Sequence, residues 1–355
     1  MQKSSRVLLV TNSHCENIGD QLIAEEIYRE LAGQPGWEVS RLPFLFYKRH
    51  SGNRLWQLLT GPFVITRALL RSDRLIIAGG NLLISGDSKF NISLLLYVFL
   101  ATLLRRPRFL LFVGASNRSH WLGNLIYSIT LKLCQEVWVR DQYSQAVLAK
   151  LFGCSKAQVV GDAAFLSPFR CTHSAEPGLK RVGLIPLGVA SLRFNEKVVT
   201  LDDAAYKVYW VRMVEELLKQ GKTVTLITTE QLDLPIAQDL AQTFDLPLIS
   251  PKDPEELLQV ICQNCDLVIS TRMHGIISGM LCGKPVVGVR WQYKVDALSQ
   301  EFDGQIPILA ITTDGLDELP QALDRASSWP VGEESWRQTL HQKLHTVIQR
   351  ALGSL

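Results

Sequence analysis

The chain has 355 residues, 47% of them hydrophobic and 20% charged, which is long enough for two globular domains. A formal net charge of only +3, without a long basic run, argues against a nucleic-acid partner. Seven cysteines, an odd number dispersed along the chain, do not form a secreted disulfide framework, and polar residues follow the first apolar strand at once. We therefore predict reduced thiols in a cytoplasmic protein.

The N-terminal segment is typical of a β-loop-α unit. Val7–Val10 predicts a strand, and Gln21–Leu31 predicts a helix that ends before Gly33. Because ligands of open α/β sheets bind beyond the carboxyl ends of strands, the loop between these elements contributes Asn17 and Asp20 as candidate site residues. An N-cap role for Asp20 explains its position equally well.

Two further strands of the first half end in residues of interest. Leu75–Asn81 runs into Gly79-Gly80, where the lack of side chains lets a ligand approach the backbone. The strand Val137–Asp141 ends on Arg140 and its neighbouring aspartate. Such a pair is either structural or part of a site, and the sequence alone favours a structural ion pair.

Two other stretches of the first half are harder to interpret. Residues 41–61 mix aromatic and basic side chains without a clean period, and we assign them no element. Ile92–Leu104 is an apolar run of thirteen residues, which is too short to span a bilayer. A buried helix is favoured over an interfacial membrane contact.

The second half begins after a polar, broken stretch at residues 168–180, which predicts an interdomain linker. Strands and helices then alternate again. We predict an α/β fold of two Rossmann-like parallel-sheet domains facing a cleft. Residues 1–170 form the N-terminal domain, residues 180–330 the C-terminal domain, and residues 331–355 a terminal helix packing across both.

The most informative stretch is Leu267–Val289, which predicts strand, loop, helix and strand, with Arg272 and His274 where the helix begins. A helix N-terminus has unpaired backbone N–H groups and a partial positive charge, so with a guanidinium it predicts an anion-binding pocket. We expect Lys284 to be solvated. No metal or cofactor is predicted, because the single C-x-x-C, Cys262 to Cys265, has no second pair.

At four places the sequence resembles the polysaccharide pyruvyl transferase family. The motifs are Asn17-Ile18-Gly19-Asp20-Gln21-Leu22-Ile23, Ile76-Ile77-Ala78-Gly79-Gly80-Asn81-Leu82-Leu83, Val139-Arg140-Asp141-Gln142-Tyr143-Ser144, and Arg272-Met273-His274-Gly275 with Gly283-Lys284-Pro285-Val286. Their order and spacing span most of the chain. The chain departs from the family pattern at Gln21 and in the loop at residues 114–119.

The resemblance implies a GT-B-like enzyme that moves pyruvate from phosphoenolpyruvate to a sugar as a ketal, with the donor in the C-terminal and the acceptor in the N-terminal domain. Arg272 would clamp the donor, His274 would be the general acid or base, and Asp20 would activate or orient the sugar hydroxyl. The residues expected to bind substrate are Asn17, Gly19, Gly79, Gly80, Asn81, Arg140, Arg272, Met273 and Gly275.

The sequence leaves open the acceptor, the choice between this function and two alternatives, and the oligomeric state. The acceptor is a sugar of a cell-surface polysaccharide or its lipid-linked oligosaccharide precursor, and the latter is compatible with a peripheral location at the inner face of the membrane. A nucleotide-sugar glycosyltransferase of the same architecture is an alternative, since fold does not determine chemistry. A noncatalytic anion- or carbohydrate-binding relative is another. The oligomeric state is not assigned.

Overall fold

The computed structural model of the chain describes residues 4–12, 16–44, 54–173, 179–194, 198–312, 314–328 and 334–353. These residues form two compact units. The first takes in the described residues within Met1–Cys15, Asp20–Leu166 and Trp336–Leu355, and the second takes in Glu16–Gly19 and those within Ser167–Ser335. Each unit contains a six-stranded parallel sheet with flanking helices, so the predicted pair of parallel-sheet domains is confirmed.

The first sheet has the strand order β2-β1-β3-β4-β5-β6. Its strands are β1 (Ser5–Thr11), β2 (Trp37–Pro43), β3 (Arg74–Ala78), β4 (Arg108–Val113), β5 (Glu136–Val139) and β6 (Gln158–Val159). Strands β1, β3 and β4 are almost entirely buried, as continuous apolar runs covered on both faces should be. The winding direction reverses between β1 and β3, so their carboxyl ends form the switch point where such sheets bind ligands.

Four of the five helices of the first unit, α2 to α5, contribute to an apolar cluster on one face of its sheet. The helices are α1 (Ile18–Ala32), α2 (Arg54–Leu70), α3 (Ser88–Leu103), α4 (Trp121–Leu133) and α5 (Gln142–Phe152). Leu69 of α2, Tyr97 of α3 and Tyr127 of α4 join Leu8 and Leu75 of the sheet in one apolar cluster. The outer faces of α2, α3 and α4 therefore point away from this sheet.

The stretch to which the sequence assigns no element lies partly outside the described residues. Within it, β2 ends at Pro43 and α2 begins at Arg54. The strand β2 lies at the edge of the sheet and alternates half-buried with exposed residues, so it lacks the apolar run of its neighbours. The helix α2 has Pro62 in its interior, which breaks the pattern that predicts a helix.

The terminal helix α12 (Glu334–Leu352) packs against the first unit. Arg74 Nη1 donates a hydrogen bond to the carbonyl oxygen of Ala351 at 3.0 Å. Arg350 Nε lies 2.9 Å from Glu136 Oε1. These contacts attach the last helix of the chain to the first sheet.

The second sheet has the order β12-β11-β10-β7-β8-β9 and reverses direction between β7 and β10. Its strands are β7 (Arg181–Ile185), β8 (Thr223–Ile227), β9 (Leu248–Ile249), β10 (Leu267–Ser270), β11 (Val286–Arg290) and β12 (Ile308–Ala310). Its helices are α6 (Asp203–Lys219), α7 (Leu234–Phe244), α8 (Pro254–Asn264), α9 (Met273–Leu281), α10 (Tyr293–Glu301) and α11 (Leu319–Ser327). The predicted strand, loop and helix around Arg272 are β10 and α9, directly at the switch point.

Two expectations about single side chains, the free cysteine thiols and the solvated Lys284, are wrong. Cys171 in the linker and Cys262 on α8 have Cα atoms 5.5 Å apart and form a disulfide, rather than two thiols. Lys284, expected to be solvated, is 1% exposed, and its Nζ donates to the carbonyl oxygen of His173 at 2.8 Å. Burial lowers the pKa of the Lys284 ammonium. Both errors have one cause, because folding brings residues 171–173 onto elements about 90 to 110 positions further along the chain.

Candidate functional site

The turn from β10 into α9 positions Arg272 and His274. Ser270, the last residue of β10, accepts a hydrogen bond at Oγ from the Arg272 N–H (3.0 Å) and donates one to the Arg272 carbonyl oxygen (2.8 Å). Gly275 fits this turn because a Cβ at that position would lie 2.3 Å from Ser270 Oγ. The side chain of Met273 is buried, so only its backbone N–H, the first of α9, can reach a ligand.

The Arg272 guanidinium is held by two carboxylates of its own unit. Its Nε lies 2.9 Å from Asp233 Oδ2 and its Nη2 lies 2.5 Å from Asp233 Oδ1, a two-point contact. The same Nη2 lies 2.8 Å from Glu230 Oε2. Burial lowers the pKa of this guanidinium, but the charges of Asp233 and Glu230 outweigh the effect and raise it. One cation facing two carboxylates leaves the ionised group with a net charge of −1.

The carboxylates of Asp233 and Glu230 differ in burial and in their hydrogen bonds. The side chain of Asp233 is fully buried, and its Oδ1 also accepts the N–H of Gly188 at 2.9 Å. Glu230 follows β8, and its side chain is 22% exposed. Asp233 is therefore a fixed partner of Arg272, whereas Glu230 can exchange this contact for water at the surface.

Residues 16–19 complete this group from the start of the chain. Asn17 Nδ2 donates to Glu230 Oε2 at 3.3 Å, and the N–H of Ile18 donates to the carbonyl oxygen of Thr229 at 3.0 Å. Gly19 lies against the imidazole of His274, since a Cβ at Gly19 would be 2.2 Å from Nδ1. Only glycine at this position allows His274, which is half-buried, to keep its place.

A second group of candidate residues lies at the switch point of the first sheet. Asp20 Oδ2 accepts a hydrogen bond from Asn12 Nδ2 at 3.1 Å. Gly79 and Gly80 follow β3 with φ of +75° and +72°, values that favour glycine, and a Cβ at Gly80 would lie 3.4 Å from Asp20 Oδ1. In the described part of the chain no group donates to Asn81 Oδ1, which is buried.

Arg140 lies at the end of β5 in a buried ion-pair network of the first unit. Its Nε lies 2.9 Å from Asp141 Oδ2 and its Nη1 lies 3.8 Å from Asp162 Oδ2. Burial lowers the pKa of this guanidinium, but attraction by Asp141 and Asp162, with a smaller contribution from Asp20, raises it. A Cβ at Gly114 would lie 2.7 Å from Arg140 Cζ, so the altered loop after β4 keeps the glycine that this side chain requires.

The sequence-predicted residues thus fall into two groups, each at the carboxyl edge of one sheet. The second unit contains Asn17, Gly19, Arg272, Met273, His274 and Gly275. The first unit contains Asp20, Gly79, Gly80, Asn81 and Arg140. The sequence did not identify Glu230 and Asp233. Their signal was their position directly after the strand β8, at the edge where ligands bind.

The described residues contain no group of three or more His, Cys, Asp or Glu side chains arranged to hold a metal ion.

A family model described as polysaccharide pyruvyl transferase matches residues 17–293, which is most of the chain. No curated protein is significantly similar to the chain in sequence. Among solved structures, the S. aureus MnaA–UDP co-structure has a TM-score of 0.60 at 10% identity and covers 100% of this chain and 98% of that one. The Methanocaldococcus jannaschii UDP-GlcNAc 2-epimerase in complex with UDP-GlcNAc and UDP has a TM-score of 0.56 at 14% identity, over 99% and 100%.

A glycosyltransferase from Rickettsia africae ESF-5 has a TM-score of 0.56 at 12% identity, and the match covers 99% of this chain and 94% of that one. At such identities these likenesses establish the fold alone. The predicted GT-B-like fold class is confirmed.

We expect Asp233→Asn to lower the free energy of unfolding by about 3 kcal/mol, because it leaves the buried Arg272 charge without its fixed partner. Urea unfolding of the purified chain measures this. The control is Asp239→Asn, which removes an exposed carboxylate 3.4 Å from Lys207 and should cost less than about 0.5 kcal/mol. Equal losses in the two variants would show that the buried Arg272–Asp233 pair stabilises the protein no more than the exposed Lys207–Asp239 pair.

Proposed function

The chain belongs to the polysaccharide pyruvyl transferase family, and we therefore propose that it transfers pyruvate from phosphoenolpyruvate to a sugar of a cell-surface polysaccharide or its lipid-linked precursor. The observation that carries this proposal is the turn at Arg272 and His274. A guanidinium, a helix N-terminus and an imidazole meet within three residues at the switch point of the second sheet.

The donor half of the reaction belongs to the second unit. Phosphoenolpyruvate carries a carboxylate and a phosphate, and either one fits the planar N–H fork of Arg272. An anion is repelled while both Glu230 and Asp233 are paired with this guanidinium. We propose that Asp233 orients Arg272 throughout and that Glu230, the more exposed carboxylate, leaves Arg272 when the donor arrives.

The chemistry assigned to His274 is proton transfer. A proton adds to the methylene carbon of phosphoenolpyruvate, and an acceptor hydroxyl attacks the adjacent carbon and loses its proton. The bond from that carbon to the phosphate oxygen then breaks, and a second hydroxyl closes the ketal as its own proton leaves. Donor and diol thus become ketal and inorganic phosphate, and an imidazole can deliver or accept the protons near neutral pH.

The acceptor half belongs to the first unit. Asp20, held by Asn12, has a carboxylate suited to orient or deprotonate a sugar hydroxyl. Asn81 follows the two glycines after β3, and its buried Oδ1, which no described residue supplies with a donor, is suited to accept a hydroxyl hydrogen. A sugar hydroxyl is one of the donors from which such an amide oxygen accepts a hydrogen bond.

The competing candidate is a nucleotide-sugar glycosyltransferase, because two of the solved structures of this fold are bound to UDP. At 10% and 14% identity they supply no site residue for this chain. An anionic diphosphate could use the same helix N-terminus, so the test must compare the two ligands directly.

We expect calorimetry to detect binding of phosphoenolpyruvate and not of UDP, and phosphate release to require an acceptor sugar. His274→Ala should reduce the rate of phosphate release by about 100-fold or more, the scale of a lost acid–base group. Its free energy of unfolding should match that of the parent protein. UDP binding in place of phosphoenolpyruvate binding, or unchanged turnover in this variant, would overturn the proposal.

Glu230→Gln should tighten phosphoenolpyruvate binding by about tenfold, because it removes one of two charges that compete for Arg272 at short range. The dissociation constant from calorimetry is the measurement. Glu216→Gln, which changes a half-buried carboxylate of α6 that accepts a hydrogen bond from Gln220, is the matched control and should change nothing. A weaker or unaltered constant in Glu230→Gln would show that the donor does not use Arg272.

Asn81→Ala should raise the KM for the acceptor by about tenfold through one lost hydrogen bond, with donor affinity unchanged. Steady-state kinetics at saturating donor measure this change. Asn264→Ala, which removes an amide that donates to the carbonyl oxygen of Val260 on its own helix, is the control. A change in donor affinity without a change in the KM for the acceptor would contradict the assignment of Asn81 to acceptor binding.

A further inference from the structure

The helices α2, α3 and α4 form one layer on the first sheet. The helix α3 lies between the other two and packs against both. Their buried residues point into the apolar cluster beneath them. The sides that face away from the sheet should then be polar, as on an ordinary amphipathic surface helix.

The outward side of this layer is instead apolar. Fourteen large hydrophobic side chains of the described residues are exposed, and ten of them lie on these three helices. Trp121 is 73% exposed, Phe63 is 70% exposed and Leu103 is 63% exposed. Residues 92, 99 and 103 of α3 recur at helical spacing, so they form a continuous stripe rather than scattered positions.

The three helices of this layer contain no acidic residue, and the segments around them are basic. None of the three helices has an Asp or Glu, and between Val39 and Gln135 the sequence has only Asp73 and Asp87 against thirteen Lys and Arg. Arg67, Arg71, Arg105 and Lys132 are exposed near the carboxyl ends of the three helices, where the exposed carboxylate of Asp73 also lies, 4.0 Å from the half-buried Arg106. We call the exposed apolar residues of α2, α3 and α4 together with these four cations the apolar–basic face.

We propose that the apolar–basic face docks on the surface of a bilayer that contains anionic phospholipids. Its aromatic and aliphatic side chains would enter the interfacial region, and its cations would bind the headgroups. In the described part of the chain no helix has the length and apolar character to cross a membrane, so the three helices would lie in the plane of the surface. This proposal goes beyond the proposed function and uses no residue of either candidate site.

Charge selects this occupant over a second copy of the chain. A symmetric dimer built on the apolar–basic face would bring the same four cations of each copy together, and among the exposed described residues between Val39 and Gln135 only Asp73 is acidic. An anionic lipid surface supplies the missing negative charge and also accepts the apolar side chains.

The test is flotation of the full chain with vesicles. We expect it to float with vesicles of phosphatidylcholine containing about one third phosphatidylglycerol, and more weakly with phosphatidylcholine alone. Binding should weaken as salt is raised toward about 0.5 M, since the headgroup attraction is screened. Arg71→Glu with Lys132→Glu should lower the partition coefficient by about fivefold or more for each residue changed.

Phe99→Asp with Leu103→Asp should abolish flotation, and the exposure of both side chains keeps the aspartates in water in the free protein. Val208→Asp changes an exposed apolar residue of α6 outside the apolar–basic face and should float like the parent. Far-ultraviolet circular dichroism and thermal unfolding confirm that each variant folds. The proposal fails if the parent does not float, or if Val208→Asp reduces flotation as much as Phe99→Asp with Leu103→Asp does. It also fails if light scattering shows that the parent is a dimer and that the variant with Phe99→Asp and Leu103→Asp is a monomer.

Discussion

The two-point contact between Arg272 and Asp233 is the constraint on which the second unit depends. It joins the turn after β10 to the segment after β8, on either side of β7, and the Gly188 N–H adds the segment after β7. Three neighbouring strand ends are thus fixed to one carboxylate. Because both charges are buried, removing Asp233 leaves a desolvated guanidinium held by Glu230 alone, and removing Arg272 leaves a buried carboxylate without its cation. The site is consequently rigid where the arginine is oriented.

In the proposed mechanism, the same group must bind an anionic donor although its net charge is negative. A guanidinium between two carboxylates is a poor anion receptor while both are bound. Unequal burial resolves the conflict in the proposed mechanism, since Asp233 keeps the fork oriented and Glu230 is available for exchange. The arrangement favours ligands that can replace a carboxylate in geometry and charge, which are properties of the phosphoenolpyruvate carboxylate.

The sequence predicted the parallel sheets and the β10–α9 turn because local apolar runs, glycines and polar breaks encode them. It did not predict the contacts between distant segments, such as Asn17 with Glu230 or Cys171 with Cys262, because no local pattern records them. It favoured a buried helix for residues 92–104, yet α3 is buried on one side and exposed on the other. An apolar run has no polar side from which its orientation can be read, so only packing revealed the apolar–basic face.

The hydrogen bond from Asn17 to Glu230 has a thermodynamic consequence. The same Glu230 oxygen contacts both Asn17 and Arg272. The position of residues 16–19 is therefore linked to whether Glu230 is paired with the arginine. In the proposed mechanism, a donor that releases Glu230 from Arg272 leaves it as a partner for Asn17 alone. By linkage, the free energy by which donor binding strengthens the attachment of residues 16–19 to Glu230 equals the free energy by which that attachment strengthens donor binding. Because Gly19 of this segment lies against His274, the proposed mechanism extends this coupling to the residue proposed to move the proton.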